Sequence, residues 1–389
     1  MISEKALKHV AIGEYIVDIV KQQGSYVLSS PGYVKNAKVI THLQSKGVES
    51  VLIDTSKSLV VQDEVFIPPI NSQTQPLILE INKAKKIFNE SKALQKRIFE
   101  DALSGRDIDL NPVIEITDQA IDTIFKNPDA LACIINIRQK DEYLLEHSVS
   151  VSILISIFAR YLNIDKQIVR QLAVGAFLHD VGKIMIPDSV LNKPGKLTDK
   201  EFTVMKTHVN HSIKIIEQTK GISEISLEVA ALHHEKLDGT GYPYQISENK
   251  ITQYGRMVAI CDIFDALTAD RVYKDGYSHI KSFGILRKLA EQQHLDKRLV
   301  DIFIKCLGVY PVGSLVELGS KKLAIVEGRN YDDPIRPKVR SFYSVDDHRY
   351  VMTQDIDLSK TKDFIVKGVR ANEFDLDMNK IVEFLLMQG

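Results

Sequence analysis

His233-His234-Glu235-Lys236-Leu237-Asp238-Gly239-Thr240-Gly241-Tyr242-Pro243 is the stretch from which the rest of this chain can be read. Upstream stands a second dense cluster, His179-Asp180-Val181-Gly182-Lys183-Ile184, and His208 and Asp262 lie between and beyond the two. Histidine is scarce, 11 in 389 residues, so imidazoles gathered beside carboxylates at two points are not an accident of composition. Imidazole nitrogen mixed with carboxylate oxygen suits Mn, Fe, Zn or Ni. In the His-Asp dipeptide, His179 can bind one ion while Asp180 bridges to a second. Two metals about 3.5–4 Å apart polarise a phosphate and activate water against it, so hydrolysis is the expected chemistry.

Working outward, both clusters sit in a region, from about Asn111 to Leu307, that is mostly helical in pattern. Asp118-Ile121-Ile124 opens one segment, Leu144 to Leu162 another, and Lys166 to His179 a third. Turns fall at Gly182, Asp188, Lys193-Pro194-Gly195 and Gly239-Thr240-Gly241. Thr198-Asp199-Lys200-Glu201 has capping-box spacing, which predicts that Thr198 starts the helix carrying His208. From Leu77 to about Leu103 apolar residues recur at helical spacing among many charges, as expected of a long amphipathic connector. That stripe can pack on its own domain or form a coiled-coil contact in a homodimer.

Residues 1–68 read as a small separate α/β unit. Tyr15 to Val20 and Val51 to Asp54 are strand-like, Asn36 to Lys46 is helix-like, and Pro68-Pro69 marks the boundary. After Val309-Tyr310-Pro311 the pattern turns to strands at Leu315–Leu318, Lys322–Glu327, Pro337–Tyr343 and Tyr350–Met352, closed by a helix from Met378 to Met387. The expected organisation is therefore an N-terminal domain (1–68), a connector (69–110), a catalytic region (111–309) and a β-rich C-terminal appendage (310–389).

Composition excludes several classes. Lys plus Arg total 50 against 51 Asp plus Glu, a formal net charge of -1, which gives no broad face for a DNA or RNA polymer. Cys133, Cys261 and Cys306 are isolated and read as buried small hydrophobes rather than a disulfide framework. Glu4, Lys8 and Glu14 interrupt any signal-peptide pattern, and the apolar run from Val149 to Ala159 is shorter than the ~20 residues that cross a bilayer. A cytoplasmic, soluble protein without a membrane partner is expected.

His179-Asp180-Val181-Gly182-Lys183-Ile184-Met185-Ile186-Pro187, taken with His233 to Pro243, resembles the HD-GYP family of cyclic-dinucleotide phosphodiesterases, a branch of the HD superfamily of helical metal-dependent phosphohydrolases. The likeness runs from about residue 135 to 310 and takes in Asp262-Ile263-Phe264-Asp265-Ala266-Leu267-Thr268 and Arg271-Val272-Tyr273-Lys274. The N-terminal unit resembles a small domain of unknown role that often precedes such domains. The implied fold is mainly α: a helical HD-type metallohydrolase core, a small α/β N-terminal domain and a small β-rich C-terminal appendage.

The resemblance implies one metal on His147, His179, Asp180 and Asp262, and a second on Asp180, His208, His233 and His234. Some members carry a glutamate four residues before the first histidine for a third metal. Tyr143 stands there in this chain, so two divalent ions are expected, Fe or Mn ahead of Zn or Ni. Val209 and Ser212 stand where the family usually has Pro and Gly, and His211 is a weaker ligand candidate than His208. Catalytic roles fall to Asp180 and Lys183; in the family this lysine contacts the scissile phosphate and can protonate the leaving oxygen. Arg271 and Lys274 match phosphate-gripping positions, Gly239 and Gly241 permit the sharp turn, and Tyr242 can stack on or hydrogen-bond the ligand. Asp238 either orders this loop or binds a base, and Glu235 is expected to orient a ligand histidine.

The implied substrate is cyclic di-GMP, cleaved to pGpG and on to GMP, with 3′,3′-cyclic GMP-AMP as the alternative. A cyclic-dinucleotide receptor or a scaffold for a signalling-protein partner is the competing class, against which the full set of metal-capable residues plus Lys183 argues. A different phosphohydrolase of the superfamily is disfavoured by the Gly-Tyr-Pro extension.

Overall fold

A computed structural model describes residues 2–10, 14–28, 31–34, 37–54, 77–136, 143–269, 276–330, 332–378, 380–381 and 385. The chain divides into two compact units, Met1–Ser72 and Gln73–Gly389. The first holds strands β1 (Ile2–Ala6), β2 (Tyr15–Gln22) and β3 (Gly32–Tyr33), helix α1 (Ala37–Ser45) and strand β4 (Val48–Asp54). The strands form an antiparallel sheet in the order β1-β4-β2-β3. Its centre is β4, whose Val48, Val51 and Ile53 join Leu7, Val10, Ile16, Val34 and Leu43 in a small core.

The second unit opens on α2 (Leu77–Leu103), α3 (Leu110–Lys126) and α4 (Pro128–Ile135). Helix α2 buries Ile81, Ala84, Ile87, Phe88, Ile98, Phe99 and Ala102 in the main core of this unit, so its apolar stripe serves its own domain. Then come α5 (Tyr143–Tyr161), α6 (Lys166–Leu178), the short α7 (Asp188–Leu191), α8 (Asp199–Glu217) and α9 (Glu224–Leu232). Helices α10 (Gln253–Thr268), α11 (His279–Glu291) and α12 (Lys297–Leu307) complete the bundle. Local chemistry fixes many of the starts: Asp109, Asp165, Thr252 and Asp296 each cap a helix with a side-chain oxygen, and Thr198 with Glu201 forms the reciprocal capping box on α8.

Helix α5 is long and apolar enough to cross a membrane by length and composition, but 78% of its 144–161 window is buried inside the unit. It is the central helix of the bundle: Val151, Ile155, Phe158 and Ala159 are fully enclosed, and Phe158 meets Phe303 edge-to-face. Full burial of side chains of this size contributes about 1.5–3 kcal/mol each.

Strands β5 (Leu315–Leu318), β6 (Lys322–Gly328), β7 (Lys338–Ser344), β8 (Arg349–Asp357) and β9 (Ile365–Val369) form an antiparallel sheet in the order β8-β7-β6-β5-β9. Val316, Leu318, Ala324, Val326 and Val339 enter the same core as the helices, whereas Leu315, Leu323, Ile325 and Phe342 build a second core that takes in Ile381 and Leu385. Strands β5, β6 and β7 thus serve two cores, one per face. The expected closing helix from Met378 to Met387 falls largely outside the described residues.

Candidate metal centre

The His179-Asp180 and His233-His234 pairs both fall at helix C-termini. His179 caps α6 with φ -53° and ψ -33°, and Asp180 then opens a 3-10 turn, Val181–Met185. His233 caps α9 in the same helical conformation, with φ -62° and ψ -18°. His208 comes from α8, Asp262 from α10, and His147 from the start of α5. The 3-10 turn approaches α8 so closely that a Cβ on Gly182 would lie 2.2 Å from the His208 carbonyl oxygen. Gly182 N–H donates to Ser212 Oγ at 2.9 Å, so Ser212 supplies an acceptor within an unbroken helix. His211 belongs to none of the groups of metal-capable residues among the described residues.

The Asp180 carboxylate faces two ways. Its Oδ2 lies 3.4 Å from His147 Nε2 and 3.3 Å from His179 Nε2; its Oδ1 lies 3.3 Å from His208 Nε2 and 3.9 Å from His233 Nε2. Asp262 Oδ1 is 2.9 Å from His147 Nε2, and its Oδ2 is 3.6 Å from His234 Nδ1. Three sets of donor atoms, each within 4.8 Å of one another, could hold an ion: His147, His179 and Asp262; His208, His233 and His234; and His179, Asp180 and His233. All seven expected ligands therefore come together, buried except for the half-buried His234.

Ring orientation follows from what holds Nδ1. His179, His208 and His233 each place Nδ1 at 2.6–2.7 Å from the carbonyl three residues earlier, of Ala176, Met205 and Ala230. A carbonyl only accepts, so Nδ1 carries the proton and Nε2 presents its lone pair. His147 is held differently, with Nδ1 at 2.7 Å from Asp265 Oδ2. Asp265 lay within the quoted motif without a role; its signal is the spacing, one helical turn beyond Asp262.

These residues fit divalent ions. The buried Nε2 atoms of His179, His208 and His233, and Oδ1 of Asp180, have no hydrogen-bond partner among the described residues. An unmet buried polar atom costs about 1–3 kcal/mol, so four converging in one cluster make sense as a cation-binding set.

Charge is distributed unevenly over the cluster. Burial pulls the His147 pKa down, but hydrogen bonds to Asp262 and Asp265 overcome it and push it up to about 9. Burial lowers His208 to about 4 and His234 to about 3, and holds His233 well below the usual range. Burial would raise Asp180, but His179 and Lys183 hold it well below the ordinary carboxylate range; the hydrogen bond from His147 does the same for Asp262.

A pH dependence follows for metal-stripped protein. Unfolded histidines titrate at about 6.5. Below that the unfolded chain takes up protons that folded His208, His233 and His234 refuse, so stability falls as pH drops toward about 4. His147 contributes stability that is fully present below about 6.5 and lost as pH rises to about 9. The melting temperature of chelator-treated protein should therefore peak near pH 6.5; a monotonic rise from pH 4 to 9 would contradict this balance.

Around the cluster, Lys183 Nζ sits 2.5 Å from Asp180 Oδ2. Tyr242 stacks at a tilt on His234, ring centroids 4.7 Å apart, and burial, then Asp262 and Asp180, push its hydroxyl pKa above the usual range. Asp238 orders the loop: its Oδ1 accepts from Thr240 N–H at 2.9 Å and the Thr240 hydroxyl at 2.7 Å, and its Oδ2 lies 3.4 Å from His294 Nε2. Gly241 passes so near Glu235 and Lys236 that a Cβ would meet Lys236 N at 2.4 Å. Arg271 and Lys274 lie outside the described residues.

Glu235 departs from expectation. Among the described residues its buried carboxylate bonds no histidine; Oε1 accepts from the N–H groups of Tyr244 and Gln245 at 2.6 and 3.1 Å, and Oε2 from Ile246 at 3.2 Å. Backbone donors just past the Gly-Tyr-Pro turn outcompete the imidazoles because they converge on the carboxylate at a chain reversal. Hydrogen bonds to a charged group contribute about 1.5–3 kcal/mol each. Glu235→Ala should speed amide exchange at residues 244–246 by at least about tenfold and leave metal content unchanged. Loss of metal with unchanged exchange would return Glu235 to the ligand shell.

All three cysteines are free and buried, and burial pushes Cys133 and Cys306 up to about 12 and Cys261 well above its usual range, which leaves them unreactive.

The family described as HD domain matches residues 132–299, and one described as a domain of unknown function (DUF3391) matches residues 5–113. A Pseudomonas aeruginosa protein named cyclic di-GMP phosphodiesterase PA4108 is 32% identical over 351 residues, 87% of this chain and 83% of the relative. Two Vibrio cholerae proteins align over 33% of the chain: one named cyclic di-GMP phosphodiesterase, 48% identical over 27% of its own length, and one named 3′3′-cGAMP-specific phosphodiesterase 2, 42% identical over 24% of its length. Among solved structures, Bd1817, titled a HDG"Y"P protein from Bdellovibrio bacteriovorus, superposes with a TM-score of 0.50 at 17% identity over 78% of this chain and 98% of that one, a likeness of fold.

Proposed function

The chain belongs to the HD-GYP family of HD-domain phosphohydrolases and is a cyclic-dinucleotide phosphodiesterase, and on that footing we propose that it hydrolyses cyclic di-GMP to linear pGpG and onward to GMP. Two resident divalent ions, Fe or Mn, would be held by His147, His179, Asp262 and Asp180 on one side and by Asp180, His208, His233 and His234 on the other. The observation that carries this reading is the division of the Asp180 oxygens between two donor sets, each rich in buried imidazole. Bound there, such ions supply Lewis acidity toward a phosphodiester and toward water.

The chain's own residues supply the rest. Lys183, with its ammonium at the edge of the Asp180 carboxylate, is placed to give a proton to the departing 3′ oxygen. Tyr242 keeps its hydroxyl proton through burial beside Asp262 and Asp180, so toward a phosphate oxygen it acts as a donor. Asp238, Gly241 and Glu235 set the loop that presents Tyr242, and Arg271 and Lys274 take the substrate's phosphates by the family pattern. Arg suits bidentate phosphate contact.

Cyclic di-GMP is preferred as substrate because the relative aligned over most of both chains carries that name. Its competitor, 3′,3′-cyclic GMP-AMP, rests on a relative matched over a third of this chain. The test is incubation of Mn- or Fe-reconstituted protein with each substrate and chromatography of the products. Faster turnover of cyclic di-GMP with pGpG appearing before GMP supports the reading; turnover of neither by metal-replete protein overturns it.

A further inference from the structure

Beyond the donor sets, a large aromatic side chain stands exposed next to the Gly-Tyr-Pro loop. Phe202, in the first turn of α8, leaves 47% of its surface to solvent. Its ring meets that of Tyr242 edge-to-face, with centroids 6.3 Å apart and planes at 87°. Lys206, one helical turn on, places Nζ 5.4 Å from the Phe202 centroid and 6.0 Å from that of Tyr242. Among the described residues this ammonium forms no ion pair, so its partners are the two rings. Tyr242 in turn lies 4.7 Å from the His234 ring and 6.3 Å from that of His208. An aromatic and cationic surface therefore starts at the metal ligands and runs outward along α8.

We propose that Phe202 and Lys206, continuous with Tyr242, form a purine shelf that seats one guanine base of the cyclic dinucleotide. This rests on the phosphodiesterase reading above and adds a base-recognition site to it. An exposed aromatic ring is a stacking platform for any base, and such contacts tolerate every base because all have a π-face. The ammonium adds discrimination. Guanine presents two acceptors, N7 and O6, along one edge, whereas adenine presents N7 beside the N6 amino donor. Swung from over the rings to the edge of the seated base, the Lys206 ammonium can donate to both guanine acceptors, whereas adenine turns its N6 donor toward it. With the phosphate at the Asp180 cluster, the shelf is on the side toward which Tyr242 extends.

The test uses metal-loaded, full-length protein and two probes. Affinity is measured by calorimetry with the hydrolysis-resistant bis-phosphorothioate of cyclic di-GMP and with that of cyclic di-AMP. Turnover is measured with cyclic di-GMP and with bis(p-nitrophenyl) phosphate, a diester without a purine. Phe202→Ala should weaken both dinucleotides by about tenfold and Phe202→Tyr should restore them, as expected for stacking. Lys206→Met should weaken cyclic di-GMP several-fold and narrow its advantage over cyclic di-AMP. In both variants KM for cyclic di-GMP should rise while kcat and bis(p-nitrophenyl) phosphate cleavage stay within twofold of wild type. Unchanged dinucleotide affinity in Phe202→Ala and Lys206→Met overturns the shelf, as does a parallel loss of bis(p-nitrophenyl) phosphate cleavage. Wild-type protein that binds the phosphorothioate but turns over no cyclic di-GMP overturns the catalytic reading instead, and the affinities still decide the shelf.

Discussion

Asp180→Asn should abolish turnover of the cyclic dinucleotide, a loss of at least about a thousandfold, or roughly 4 kcal/mol of transition-state stabilisation. The size follows from position. The carboxylate sends one oxygen to His147 and His179 and the other to His208 and His233, so one substitution weakens both donor sets together. It also takes the anionic partner from Lys183, whose Nζ is 2.5 Å away. Metal analysis should find content well below that of wild type, while far-UV circular dichroism remains close to wild type. The amide is nearly isosteric, so the fold is retained, but the chelated protein loses the stability that His179 and Lys183 confer by holding the carboxylate ionised, and its melting temperature near neutral pH falls. Turnover retained within tenfold would mean that the carboxylate is not shared and that the reading built on it is wrong.

Asp265→Asn is expected to lower metal affinity by about 10–100-fold, the usual effect of removing an outer partner of a ligand histidine. Asp265 is wholly buried and reaches the site at His147, 2.7 Å from its Nδ1. As a carboxylate it fixes the tautomer and strengthens Nε2 as a donor; as an amide it can present its NH2 to the ring and reverse the tautomer. Titration of stripped protein with Mn(II), followed by electron paramagnetic resonance, should show one weakened binding step and one close to wild type, since Asp265 holds His147, which groups with His179 and Asp262, whereas His208, His233 and His234 form another set. Equal weakening of both steps would point to a general packing defect, and no change in either would remove Asp265 from any positioning role. Asp265→Glu, which keeps the charge but shifts the oxygens, should fall between the two.

Much of this arrangement was legible in the amino-acid order, for identifiable reasons. Helix α2 runs from Leu77 to Leu103 as its apolar spacing implies, and the Thr198–Glu201 box starts α8, because both signals are local. The mainly α class and the β-rich end were legible for the same reason. Strands β1 and β9 were not. Ile2-Ser3-Glu4-Lys5-Ala6 and Ile365-Val366-Lys367-Gly368-Val369 lie at sheet edges, where one buried face is not enforced and alternation fades. At the site, the doublets announce themselves because helix ends deliver neighbouring residues to one point. Asp265 did not, because a lone aspartate on a helix looks like any other until His147 arrives from 118 residues away. Glu235 misled because its true partners are backbone N–H groups, which leave no trace in residue identity. Phe202 and Lys206 match no motif in the amino-acid order, and gain their place only where the loop brings Tyr242 beside them.

The manner in which Nδ1 is held has a consequence for how this centre can drift. His179, His208 and His233 lean on carbonyls of their own helices, at Ala176, Met205 and Ala230, and any residue at those three positions offers the same carbonyl. Their aim is therefore indifferent to neighbouring side-chain identity and changes only when a helix moves. His147 alone among these four is aimed by a side chain, that of Asp265. Sequence variation can retune one edge of the cluster through that residue, while the opposite edge keeps its bearing for as long as α8 and α9 remain helical.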